Sequence, residues 1–213
     1  IEAYENLMIN GEPYVAMIME YFKGRELKKY LNCFPKDYNP SSNIIFKFFL
    51  DMLTTLKILH KKDFIHRDIK PQNILVDEKC NFCLIDFGLS CIIDSKIKEI
   101  SCGNNREGTL NFMDPIIIGE YDAKDLKLMK ATDIWSLGVV AYIFANNRKL
   151  HEGLNNIKKI TEKIISGDRN PRSNHPNEDI NILIELCLEK DYKKRPTAEE
   201  LYDILIDMIN KNE

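Results

Sequence analysis

Before Lys23 the chain contains no lysine and a single glycine, Gly11, out of nine glycines in 213 residues. Its first 22 residues therefore encode neither a glycine-rich loop that could cradle phosphates nor a strand lysine to neutralise them. Charge of one sign is also missing: 30 Lys and Arg stand against 33 Asp and Glu, for a net charge of −3. With a pI near 5.9 and lysines scattered along the chain, a general binder of nucleic-acid backbones is excluded. No apolar run approaches the length of a membrane span. The longest, VVAYIFA at 139–145, reads as part of a buried helix, so no membrane partner is expected. No secretory signal pattern opens the chain. The six cysteines (Cys33, Cys80, Cys83, Cys91, Cys102, Cys187) lack the spacing of a disulfide framework. An intracellular, cytoplasmic setting follows as the expectation. Repeats and low-complexity tracts are absent. The chain begins at Ile1 and not at Met, which reads as processing or as a piece of something longer.

What is present is an ordinary globular balance, 44% apolar and 30% charged, and enough chain for one sizeable core or two small lobes. Asn10-Gly11 is a hairpin turn signal between apolar runs at 3–9 and 14–19, so two antiparallel strands are expected there. KGRELKKYL at 23–31 reads as a short helix. Ser41 or Ser42 is placed to cap a helix running from about Asn43 to Lys61, where Ile44, Ile45, Phe48, Phe49, Met52, Leu53, Leu56 and Leu59 recur at helical spacing. Short strands are expected at 73–76 and 82–86, followed by a long loop over 90–111. Everything after about Asp125 reads as helices. ATDIWSLGVVAYIFA is apolar nearly all round and should be a core helix. Thr197 and Glu200 have capping-box spacing before the last one.

The stretch FIHRDIKPQNILV at 64–76 carries an acid, a base and an amide within six positions: Asp68, Lys70 and Asn73. Phosphoryl transfer to a hydroxyl needs those groups held rigidly. A carboxylate such as Asp68 can accept the hydroxyl proton, an ammonium such as Lys70 can reach the moving phosphate, and Asn73 can offer an uncharged oxygen to Mg²⁺, which prefers oxygen ligands. Asp86, in DFG at 86–88, supplies a second metal ligand.

These motifs resemble the eukaryotic protein kinase family. HRDIKPQN at 66–73 fits the pattern H-R-D-x-x-x-x-N, and DFG follows at the family's spacing. GTLNFMDP at 108–115 resembles the family's segment ending in A-P-E, DIWSLG at 133–138 its buried central helix, KRPT at 194–197 its arginine motif, and MEYFKGREL at 19–27 its hinge. The resemblance spans essentially the whole chain and implies an α+β, protein-kinase-like fold. Residues 1–22 would be two strands of the small lobe with the hinge, and 23–213 the helical large lobe of a partial kinase domain. It implies ATP and Mg²⁺ as cofactors and a protein substrate. Asp68 would be the catalytic base and Lys70 would contact the γ-phosphate, a lysine at that offset going with serine/threonine substrates. Asn73 and Asp86 would bind the metal. The Glu20 carbonyl and Phe22 amide would pair with adenine, with Met19 as gatekeeper, Glu26 reaching the ribose, Leu75 packing under the base, and Gln72 and Ile85 completing the nucleotide site. Thr109 would brace Asp68 and Lys70, and Asp133 would hold the catalytic loop from below. Arg67 would await a phosphate placed by an activating kinase on the 89–107 loop, with Ser101 as the first candidate acceptor and Ser95 and Ser90 behind it.

The sequence departs from that pattern in three places. The glycine-rich lid and the strand lysine are not among these residues, so the 213 residues as they stand are expected to transfer phosphate weakly or not at all. Ile116 stands where the family has a glutamate that pairs with the arginine Arg195 resembles, leaving Arg195 in need of another acceptor. Asp114 stands where alanine is usual, a change expected to matter little. Two functions fit: a serine/threonine protein kinase, and a non-catalytic, kinase-like interaction module. His66 is expected to be a packed core histidine beside Phe87, not a catalytic base. Cys80 and Cys83 have zinc-pair spacing, but fall on a hairpin where an ordinary turn is the simpler reading.

Overall fold

A computed structural model of the chain describes residues 2–35, 38, 40–94, 99–100, 108–118, 125–148, 150, 157–166 and 172–211. Asn10 and Gly11 both hold positive φ, 52° and 86°, as a two-residue hairpin turn requires. They join β1 (Glu2–Ile9) to β2 (Glu12–Ile18) in a two-stranded antiparallel sheet with Ile9 opposite Glu12.

The stretch 23–31 differs from the single helix expected of it. Arg25–Glu26 form a short strand, β3, and only Leu27–Leu31 form α1. The reason is tertiary: β3 pairs with β5 (Ile74–Val76) through Arg25↔Val76 and Glu26↔Leu75, and ladder bonds outweigh the weak helical preference of two residues. β5 also begins one residue later than expected, because Pro71–Asn73 make a 3₁₀ turn with the proline at a position that needs no N–H donor. β6 (Phe82–Leu84) pairs with β5 and completes a three-stranded sheet, stopping short of residue 86. There the Ile85 amide turns away to the Asn73 carbonyl (2.9 Å) and Asp86 adopts φ 64°.

The expected loop at 90–111 contains strands. Cys91–Asp94 form β7, pairing with β4 (Phe64–Ile65) and with β8 (Glu99–Ile100). Strands of two to four residues are too short to show a period. Ser95 and Ser101 lie outside the described residues. Cys33, Cys80, Cys83 and Cys187 are free thiols, whereas Cys91 is disulfide-bonded, which a search for framework spacing does not reveal.

The body is helical. α2 (Ser42–Lys61) buries Ile45, Phe48, Phe49, Met52, Leu53 and Leu56 along one stripe. Its Asp51 accepts from the Phe82 amide (2.9 Å), tying β6 to the helix. α3 (Pro115–Ile118) is a single turn. α4 (Leu126–Asn146) is buried on almost every side, opened by Asp125 accepting from the Leu128 amide (3.0 Å) and closed by Asn147 at φ 48°. It is long and apolar enough to cross a membrane by length and composition, and 89% of its most apolar stretch is packed inside the protein. α5 (Ile157–Ser166), α6 (Glu178–Cys187) and α7 (Ala198–Lys211) follow. Phe48, Phe82 and Phe144 meet edge to face with centroids 5.3–5.8 Å apart at the heart of the core, where each such ring contributes roughly 1.5–3 kcal/mol by leaving water. A second, smaller core of Ile65, Cys91, Ile117, Leu128 and Met129 sits under β4 and β7. The fold is α+β and mostly helical, and β4 and β5, which belong to two different three-stranded sheets, bracket the HRDIKPQN stretch in sequence.

Candidate functional site

Asp68 lies between β4 and the 3₁₀ turn and is 6% exposed. Its carboxylate is held from three directions. Lys70 Nζ donates to Oδ2 at 2.5 Å, Thr109 Oγ1 donates to Oδ1 at 3.0 Å, and Asn73 Nδ2 donates to Oδ2 at 3.0 Å. Lys70 also reaches Thr109 (3.1 Å) and Asn73 the Asp68 carbonyl (2.9 Å), so the four side chains form one closed network. Thr109 belongs to a segment 41 residues away, brought in because Gly108 at φ 120° lets the chain pass close to the Arg67 carbonyl. A Cβ there would sit 2.8 Å from that oxygen.

Asn73 donates with its amide, and its Oδ1 accepts no hydrogen bond among the described residues. The Ile85 amide on the Asn73 carbonyl seats Asp86 beside it. Asp86 is exposed, and one of its oxygens accepts only the Gly88 amide at 3.2 Å. The donor set, an amide oxygen and a carboxylate, is the hard-oxygen chemistry that Mg²⁺ takes, and two protein ligands leave room for water and phosphate. Among the described residues no group of three or more His, Cys, Asp or Glu could hold a metal.

Some of the residues expected around a nucleotide base meet on the β3–β5–β6 sheet. Glu26 is opposite Leu75 in the β3–β5 pairing, and Leu75 is opposite Cys83. The Cys83 thiol is pushed up by burial and further by the Glu20 carboxylate, which places Glu20 near β6. Met19 is 60% exposed, Phe22 and Ile85 are half-buried, and Glu26 is paired with Lys29. Gln72 Oε1 is buried without a hydrogen-bond partner.

Beneath Asp68 the loop is pinned by Asp133 from α4. Its carboxylate accepts from the amides of His66 and Arg67, each at 2.9 Å, and from His60 Nε2 at 3.0 Å. Burial disfavours the charged carboxylate, but the His60 bond and charge, with the His66 amide, outweigh it and hold the Asp133 pKa below the ordinary range. His60 is a participant that sequence reading missed. Its signal was its place on the buried stripe of α2, one turn before the HRD triplet. His66 is fully buried, its ring 5.0 Å from that of Phe87, accepting the Asp68 amide at Nδ1 and facing the Ile85 carbonyl with Nε2. It is the packed core histidine expected. Ser90 Oγ donates to the His66 carbonyl (3.3 Å).

Asp114 corrects an expectation. Arg195, 3% exposed, lacks nothing: one guanidinium nitrogen donates to Asp114 and to the Ala131 carbonyl (2.6 Å), and two others reach the Glu189 carbonyl (2.9 and 2.7 Å). The guanidinium also stacks on Trp135 at 5.1 Å. Asp114 is 1% exposed, and its second oxygen accepts the Ile116 amide at 3.1 Å. Burial raises its pKa, while Arg195 and the Ile116 amide pull it back in part. The aspartate at 114 is therefore not incidental: it supplies the acid that Ile116 does not.

The sequence pattern of the protein kinase domain matches residues 1–204. The chain belongs to the protein kinase domain family. Among the kinases it resembles, serine/threonine-protein kinase nekl-2 of Caenorhabditis elegans is 30% identical over 197 residues, 88% of this chain and 52% of the relative. Serine/threonine-protein kinase ppk34 of Schizosaccharomyces pombe is 32% identical over 203 residues, 94% of this chain and 54% of the relative. The probable serine/threonine-protein kinase nek2 of Dictyostelium discoideum is 29% identical over 205 residues, 94% of this chain and 47% of the relative. The chain spans about half the length of these curated relatives. As a kinase domain its α+β fold is mostly the helical lobe, with α4 as the buried central helix and Asp133 on it holding the Asp68 loop.

Proposed function

We propose that the chain forms the acceptor- and metal-holding side of a serine/threonine protein kinase site, which moves the γ-phosphoryl group of ATP to a protein hydroxyl. The observation that carries this reading is the closed network of Asp68, Lys70, Asn73 and Thr109. Asp68 orients the acceptor hydroxyl and takes its proton as the new oxygen–phosphorus bond forms and the bond from the γ-phosphorus to the bridging oxygen breaks, ADP leaving with that oxygen. Lys70, already within 2.5 Å of that carboxylate, places positive charge where the transferring group gathers negative charge. Thr109 fixes the rotamer of both. Asn73 and Asp86 would hold Mg²⁺, which when bound neutralises the phosphate oxygens. Met19, Glu20, Phe22, Glu26, Gln72, Leu75 and Ile85 form the nucleotide face, the Glu20 carbonyl and Phe22 amide pairing with adenine. Residues 1–22 act as the small-lobe and hinge part, and an activating kinase modifies the 89–107 segment. The protein works on intracellular protein substrates.

A second reading is a kinase-like interaction module without catalysis, built on the helical body. The two are separated by incubating the protein purified from its source with γ-labelled ATP, Mg²⁺ and a mixed protein acceptor, then analysing phosphoamino acids. The kinase reading predicts label on serine and threonine that vanishes when Mg²⁺ is chelated. Absence of label from every acceptor selects the module.

A further inference from the structure

We propose that Asp114 is a positioning residue for the acceptor side of this site: paired with Arg195, it locks residues 109–117 beside Asp68. The inference rests on the kinase reading for its catalytic consequence, though not for its structural one. Three observations carry it. First, the pair is fully enclosed, with neither side chain more than 1% exposed, so the two charges cannot be screened and neither can be removed cheaply. Second, Asp114 sits in the same wall as the reacting carboxylate. Asp68, Thr109, Phe112, Met113, Asp114 and Ile117 line one small cavity, and the Thr109 hydroxyl that braces Asp68 lies five residues before Asp114. Third, the wall is fastened to α4 at two points. The Phe112 carbonyl accepts from Ser136 Oγ on α4 (2.8 Å), and the Asp114 carboxylate joins the Ile116 amide to Arg195, which is itself bound to α4 through the Ala131 carbonyl. Without Asp114 the segment keeps one of these two anchors to α4.

The departures at 114 and 116 thus compensate each other. The acid that pairs with Arg195 stands at 114, two residues before the position the family uses, and Ile116 packs against the second core. A segment held from 114 fixes Thr109, and with it the Asp68 carboxylate that Thr109 braces, from a point two residues nearer than 116. Placement of that carboxylate against the acceptor hydroxyl, and not nucleotide affinity, is what this anchor sets.

The test uses the full protein purified from its source cell type, as wild type, Asp114→Ala, Ile116→Glu and the double variant. Kinetics are measured against an acceptor peptide and against ATP separately, and amide exchange is followed over 109–117. Asp114→Ala is expected to lower kcat/KM for the acceptor roughly ten- to hundredfold through misplacement of the segment. KM for ATP is expected to stay within about twofold, and the 109–117 amides to lose protection. Adding Ile116→Glu to Asp114→Ala is expected to restore most of the acceptor kcat/KM and the protection, because the acid returns to the position the family uses. The proposal is overturned if Asp114→Ala leaves acceptor kinetics and exchange unchanged, if it raises KM for ATP and for acceptor alike, or if adding Ile116→Glu restores nothing. If the wild-type protein transfers no phosphate, the kinase reading fails, and the exchange measurement alone decides whether Asp114 locks the segment.

Discussion

Asp133→Ala is the substitution whose cost can be worked most fully from the structure. The carboxylate is 1% exposed and serves three donors: the His66 and Arg67 amides at 2.9 Å and the His60 ring at 3.0 Å. Alanine leaves both amides buried without acceptors, and each such orphan costs about 1–3 kcal/mol. The sum is about 4 kcal/mol, within the range of about 3–5 kcal/mol for removing one member of a buried charged pair. A domain of this size has roughly 5–15 kcal/mol in all, so the variant should remain folded with a melting temperature lower by roughly 8–16 °C, at about 2–4 °C per kcal/mol. Asp133→Asn keeps one acceptor oxygen and should lose about half as much. Trp135, the single tryptophan, lies two residues further along α4 and reports urea unfolding by its fluorescence. Amide exchange should show His66 and Arg67 newly exposed to solvent while α6 and α7 keep their protection. A loss below about 1 kcal/mol, or unchanged exchange at 66 and 67, would refute the assignment of Asp133 as the anchor of the loop.

The same carboxylate sets a pH dependence. Its folded pKa lies below the unfolded value of about 3.9, so its stabilisation is present above that value and is lost as pH falls through the folded pKa. Acid unfolding followed at Trp135 should therefore be less steep below about pH 4 in Asp133→Asn than in the wild type. Gly138→Ala puts a Cβ 2.6 Å from the Cys187 Cβ and 3.0 Å from Leu188 Cδ2, so α4 and α6 must part. A loss of roughly 1–3 kcal/mol in urea unfolding is expected. Thr197→Ala breaks a reciprocal cap in which Glu200 accepts from the Thr197 amide (2.8 Å) and Thr197 Oγ1 accepts from the Glu200 amide (3.2 Å). Urea unfolding should register about 1 kcal/mol, and less than about 0.5 kcal/mol would show that α7 does not depend on its cap.

Motifs that encode local geometry were readable in the sequence, and contacts between distant segments were not. HRDIKPQN folds on itself, so Asp68, Lys70 and Asn73 meet almost as written. Asn10-Gly11 specifies its own turn, and the α2 stripe its own buried face. By contrast, β3 replaces the first residues of an expected helix only because β5 lies alongside. The short strands β7 and β8 exist through pairing with β4 and with each other. Asp114 looked inconsequential because its partner is 81 residues away. His60 looked like one more residue at a helix end, and its value comes from Asp133, 73 residues on. In both cases one charged residue was read without the other, and a buried charge has no meaning until its counter-charge is placed.

The central claim, that the network around Asp68 is a phosphotransfer centre, is tested most directly by one rate. The protein expressed in its source cell type is assayed for Mg²⁺-dependent transfer from ATP to a serine peptide, as wild type and as Asp68→Asn. Asparagine keeps the shape and the bond from Thr109 but cannot take a proton. The account predicts wild-type transfer that falls roughly 10²- to 10⁴-fold in the variant, with the variant still folded although Lys70 and Asn73 lose the oxygen they donate to. Equal rates in the two proteins, or a rate lost only because the variant unfolds, would contradict it.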